Sequence, residues 1–155
     1  MPLECTVTFE SWDLQEPFEI SRGVMTAIDV LVVRLDDQLG HTGYGEAKGV
    51  PYKGETQQSM AAQIEAVAPR LHADLSGEDL MQLLPPGGAR NALDCALWDL
   101  RAKQSGRRAW QLAGLPSVEP VLTTSATASA TPSFTADSTA PSKATMVTWT
   151  PLRAR

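Results

Sequence analysis

The stretch Gly87–Gln104, GGARNALDCALWDLRAKQ, constrains the fold more than any other part of the chain, because its apolar residues recur at helical spacing and its start is punctuated. Pro85-Pro86-Gly87-Gly88 cannot continue a preceding helix, whereas Ala89 onward is rich in strong helix formers, which predicts a helix starting near Gly88. At about 100° per residue, Ala89, Leu93, Ala96, Leu97 and Leu100 share one face, an ordinary core stripe. Cys95, Trp98 and Ala102 form a second apolar facet, with Arg90, Asp94 and Arg101 on one flank and Asp99 and Lys103 on the other. A helix with two apolar sides expects two layers of neighbours.

The segments before this helix read as strands and then as helices. Val7, Phe9 and Trp12 alternate loosely with polar residues over Leu3–Leu14, a first strand that Pro17 is expected to end. Phe18–Gly23, FEISRG, then reads as a loop in which Arg22 is either a solvated side chain or a binding group. Thr26–Leu35 has the densest β-branched run and predicts a second strand; Asp36–Gly40 turns, and His41–Ala47 is a third strand whose glycines suggest a bulge or a close backbone approach. Lys48–Gly54 is a second loop, with Tyr52 at its centre as a pocket wall or a lid on the core. Met60, Ile64, Val67 and Leu71 recur at spacings of three and four, with Glu55 placed to favour the start of that helix and Pro69 to kink its end. Ser76-Gly77-Glu78-Asp79 opens a short helix, Arg108–Ala113 makes another, and Val118–Thr124 reads as a strand. Strands followed by helices is the order of an α+β domain: a three-stranded antiparallel meander and then a helical bundle.

After Thr124 the composition shifts to Ser, Ala, Thr and Pro with no apolar period, so residues 125–155 are expected to be a disordered or out-of-frame tail. The formal net charge of −5 and the lack of a basic run argue against nucleic acid or an anionic membrane as partner. Acidic residues interrupt the first twenty positions and no run approaches a membrane span, while two cysteines are too few for a secreted disulfide framework. A cytoplasmic setting is expected. His41 and His72 are isolated, Cys5 and Cys95 have no zinc-type spacing, and Gly43-x-Gly45 opens no helix, so neither a metal site nor a nucleotide loop is legible. Asp94 and Asp99 lie about 140° apart on the long helix. They do not converge, and pairing with Arg90 and Lys103 is their expected use. On composition and spacing alone the chain contains no complete active site.

The motifs PFEISRG, GYGEA, YKGET and LLPPGGARNALDCALWDLRAKQSGRRAWQLAG together resemble the N-terminal capping domain of the enolase superfamily, the mandelate racemase and muconate lactonizing enzyme branch. Muconate cycloisomerases and o-succinylbenzoate synthases carry similar helices; the ISRG loop favours the dipeptide epimerases that act on L-Ala-D/L-Glu. The resemblance implies a cap over residues 1–117, a strand at 118–124 leading towards a (β/α) barrel that is missing from the chain, and chemistry done in that barrel by lysine bases and Mg²⁺. It implies that Arg22 faces the distal carboxylate of a dipeptide substrate, with Ile20, Ser21 and Tyr52 lining the pocket. The lysines present are Lys48, Lys53, Lys103 and Lys143, none in a KxK pair, and beyond Glu119 the sole acid is Asp137. Catalytic and metal-binding residues are therefore expected to be absent and the isolated chain to be inactive. The alternative is a free-standing, non-catalytic module that binds a partner through the Arg22 and Tyr52 loops. Oligomeric state is left open.

Overall fold

The computed structural model describes residues 1–21 and 23–120. Three antiparallel strands come first, β1 (Glu4–Ile20), β2 (Gly23–Asp36) and β3 (Thr42–Ala47), side by side in chain order. Four helices follow: α1 (Gln57–Val67), α2 (Gly77–Leu83), α3 (Gly88–Ser105) and the single turn α4 (Ala109–Leu112). The expected α+β order, a meander and then helices, is what forms. No barrel is present among the described residues.

Period-two alternation decides which face of the sheet is covered. Leu31, Val33 and Leu35 point one way from β2 and are fully buried, and their cross-strand partners are Gly43, Gly45 and Ala47 of β3. Against this face lies α3, whose Ala89, Leu93, Ala96, Leu97 and Leu100 are all buried as the helical spacing requires, joined by Ala92. Met60, Ile64 and Val67 of α1 and Leu80 of α2 complete the core. The α3 backbone comes so near that a Cβ on Gly45 would fall on the Ala92 carbonyl oxygen, and one on Gly43 would lie 2.7 Å from Leu100 N. The glycines of the third strand thus mark a close approach.

Helix ends follow local chemistry. Thr56 caps α1 by accepting from Ser59 N at 3.1 Å, and Ser76 caps α2 by accepting from Asp79 N at 3.0 Å, each a cap of the kind worth about 1 kcal/mol. Pro69 converts the end of α1 into a 3₁₀ turn over Ala68–Arg70. Gly106 closes α3 in the left-handed conformation (φ 63°), accessible to glycine at no steric cost.

Two expectations are corrected. Pro17 does not end the first strand: pairing resumes at Phe18↔Met25, after a register shift that leaves residues 14–17 without partners in the ladder. Pro17 falls in that gap, where its missing N–H breaks no hydrogen bond, so Phe18–Ile20 is strand and not loop. Asp99 pairs with Lys103 at 2.6 Å as expected, but no Arg90–Asp94 ion pair forms; Asp94 and Arg90 instead line a groove with Leu80, Met81 and Trp98. The strand expected over Val118–Thr124 is described only to Pro120, and Val118, Glu119 and Pro120 carry no regular structure. The remainder of it and the expected tail at 125–155 lie outside the described residues. Among the described residues, no helix is long and apolar enough to cross a membrane.

Candidate functional site

Two features expected to meet a ligand project from the same end of β2 and β3. The β1–β2 ladder closes at Ile20↔Gly23, which puts Ser21 at an exposed hairpin tip. Arg22, on which the substrate-contact expectation most depends, lies outside the described residues, and Ile20 is described by its backbone alone. The second feature is the loop after β3. Val50 O accepts from Lys53 N at 2.9 Å and Gly54 N donates to Pro51 O at 2.9 Å, which winds Pro51–Lys53 into a 3₁₀ turn. Tyr52 stands on that turn 70% exposed, so it is no lid on the core.

Between the hairpin and this loop runs a cleft of about 390 Å³, with Met25, Ala27 and Asp29 on one wall, and Lys48 and Pro51 on the other. Lys48 Nζ reaches across to within 3.3 Å of Met25 Sδ. Ser21 and Tyr52 are not among the cleft's lining residues. The structure therefore brings the two loops together at their bases and leaves those two side chains at the periphery.

The anchors of the second loop were not legible beforehand. Glu55, expected to favour the start of α1, precedes the Thr56 cap and turns away: its Oε1 accepts from Gly88 N at 2.7 Å and its Oε2 from Val50 N at 3.2 Å. It serves the start of α3 instead, because Gly87 brings no side chain to cap the free amides there. Gln57 donates to Val30 O at 2.7 Å and so ties the start of α1 to the hairpin. Val50 lies only five positions before Glu55, but the Glu55–Gly88 and Gln57–Val30 contacts join residues 33 and 27 positions apart, and their trace in the sequence is the glycines that make room.

Neither cysteine thiol is activated. Burial pushes the Cys5 thiol up to about 11; at Cys95, partial burial and then the negative charges of Asp94 and Glu46 also raise it. His41 is not isolated but committed, its Nδ1–H donating to Asp37 Oδ2 at 2.9 Å. A Mg²⁺ ion needs several free carboxylate or carbonyl oxygens converging on one point. Among the described residues no three His, Cys, Asp or Glu side chains come together. The carboxylates of Asp37, Glu55 and Asp99 are spent on amide hydrogens and a lysine. The donor set of the described residues does not fit the ion. What the described residues can do is position and enclose.

Residues 3–114 match the family described as mandelate racemase / muconate lactonizing enzyme, N-terminal domain. The chain is 44% identical over 114 residues to L-Ala-D/L-Glu epimerase of Escherichia coli K12, covering 74% of this chain and 35% of that protein. Among solved structures, an enolase family member from Agrobacterium tumefaciens with homology to dipeptide epimerases, holding sodium and L-Ala-L-Glu, is 44% identical with a TM-score of 0.68, over 74% of this chain and 35% of that one. A dipeptide epimerase from Methylococcus capsulatus, complexed with Mg and the dipeptide L-Arg-D-Lys, is 27% identical with a TM-score of 0.65, over 74% and 35%. The chain spans between about a quarter and a third of the length of the curated relatives it matches.

Proposed function

The chain belongs to the mandelate racemase / muconate lactonizing enzyme N-terminal domain family, and we propose that it is the substrate-facing cap of a Mg²⁺-dependent dipeptide epimerase acting on L-Ala-D/L-Glu. The observation that carries this reading is the 44% identity over 114 residues to an enzyme of that name, beside a family match over residues 3–114 that takes in the sheet, both loops and the long helix. The relative from Agrobacterium with L-Ala-L-Glu bound supports a ligand with two carboxylates.

Inverting the carbon next to a carboxylate needs a base on each face and a cation to hold the charge that builds on the carboxylate oxygens. Those groups belong to a barrel. The cap's part is recognition: Arg22 offers a two-pronged donor to the substrate's distal carboxylate, Ile20 and Ser21 flank it, and Tyr52 closes the other side and excludes water. The described residues bring together no metal donor set, and the 155-residue chain alone is expected to be inactive. Two unpaired cysteines support a cytoplasmic setting.

Grafting residues 1–117 in place of the matching cap of the Agrobacterium relative tests this. The chimera is expected to move deuterium from D₂O into the glutamyl α-position of L-Ala-D-Glu, while R22A in it raises KM about tenfold or more with a smaller change in kcat. The 155-residue chain alone is expected to move none. A folded chimera without exchange, or one indifferent to Arg22, would sink the reading.

A further inference from the structure

One side chain holds three separate pieces of chain together. The Glu55 carboxylate accepts the first amide of α3 through Oε1 (Gly88 N, 2.7 Å) and the amide at the base of the second loop through Oε2 (Val50 N, 3.2 Å). Hydrogen bonds from amides to a carboxylate are charge-assisted and stronger than neutral ones. The space around Glu55 is kept clear by glycine: a Cβ at Gly49 would meet its carbonyl oxygen at 2.5 Å, and one at Gly87 would meet Oε1 at 2.7 Å. Its own amide also donates back to Val50 O at 3.3 Å, so Val50 and Glu55 pinch the loop shut from both ends. Only four residues lie between them, and Tyr52 stands at the outer edge of the single turn they make. Two positions on, Gln57 fastens the same junction to the hairpin.

We infer that Glu55 is the latch of the second loop, a positioning residue that fixes where Tyr52 stands relative to the start of α3 before any ligand arrives. The value of that placement for recognising a dipeptide rests on the proposed function; the latch itself does not. A carboxylate is required because two amides must be accepted at once. A glutamine has one acceptor oxygen, and its amide nitrogen would confront the second N–H.

Amide hydrogen exchange on the ligand-free 155-residue chain tests the latch. In E55A the amides of Val50 and Gly88 are expected to exchange about tenfold faster or more, and in E55Q one of the two is expected to be released while the other stays protected. The chain has two tyrosines, so 3-fluorotyrosine labelling gives two fluorine resonances, with Tyr52's identified by Y52F. That of Tyr52 is expected to shift in both variants and that of Tyr44 to stay. Wild-type exchange at both amides would overturn the latch. So would equal changes at Tyr44 and the β2 amides, which would make Glu55 a general requirement of the fold. If E55A does not fold, E55Q decides alone. Because no ligand is used, a failed latch leaves the cap reading standing, and an inactive chimera leaves the latch standing.

Discussion

Asp37 is the one charged residue fully buried among the described residues, and it is buried because every lone pair direction has a donor. Its Oδ1 accepts from Leu39 N and His41 N, both at 2.8 Å, and its Oδ2 from His41 Nδ1 at 2.9 Å and Gln104 Nε2 at 2.8 Å. One side chain thereby shapes the β2–β3 turn and staples it to the last turn of α3. Burial pushes its pKa up, but the bonds from Gln104, the His41 amide and ring, and the Leu39 amide together outweigh it and hold the carboxyl well below its ordinary 3.8. A carboxylate whose pKa is depressed by folding adds stability above the unfolded value, and that stability drains away as pH falls through and below about 4. D37N turns two of the four acceptor contacts into confrontations between donors, and is expected to lower the melting midpoint at pH 7 by about 5 °C or more. The gap between wild type and variant should begin to narrow as the pH of the melt is taken down from about 5 towards 3. A gap unchanged with pH would show that the charge contributes nothing. None of this was legible beforehand, since a turn rich in Asp and Gly predicts solvent exposure; only Gln104, arriving from α3, makes the burial affordable.

At the scale of elements, the pairing of β3 with α3 sets the geometry of the whole cap. Gly43 and Gly45 let the helix backbone settle onto the strand, and Asp99 adds a bond to Tyr44 N at 2.8 Å while Lys103 donates to Thr42 O at 2.8 Å. A side chain at Gly45 has nowhere to go, because its neighbours are the backbone atoms Ala92 O and Ala96 N and not the ends of flexible side chains. G45A is expected to cost about 3 kcal/mol in urea denaturation; a loss below about 1 kcal/mol would mean the helix can lift away freely. The outer facet of α3 behaves differently. Cys95 is exposed and Trp98 half-buried beside the groove at Arg90 and Asp94, so the second neighbouring layer that this facet calls for is not supplied by the described residues. The stripe and the facet were both legible from spacing alone. The long β1 was not, because Pro17 and the glycine at 23 carry ordinary loop signals that an edge strand with a register shift can absorb.

For the molecule as a whole, every residue of the core cluster lies between Leu3 and Leu100, within the family match over residues 3–114. We propose that residues 1–117 are the folding unit. A chain ending at Ser117 is therefore expected to melt within about 2 °C of the full chain, and a much lower midpoint in calorimetry would show that later residues contribute to the core. What the sequence determined by itself was everything governed by local repetition and local chemistry: the order of strands and helices, the α3 stripe, the Ser76 cap, the close approach at the glycines, and the family. Those signals survive in a linear string because helix and strand periods and caps are set by residues a few positions apart. What only the tertiary structure decided was where the polar side chains go. Glu55 reaches Gly88, Asp37 meets Gln104, and Gln57 finds Val30 O, partners 33, 67 and 27 positions away. Their pairing depends on which backbone amides and carbonyls packing leaves without water, and no spacing rule can state that before the core has formed.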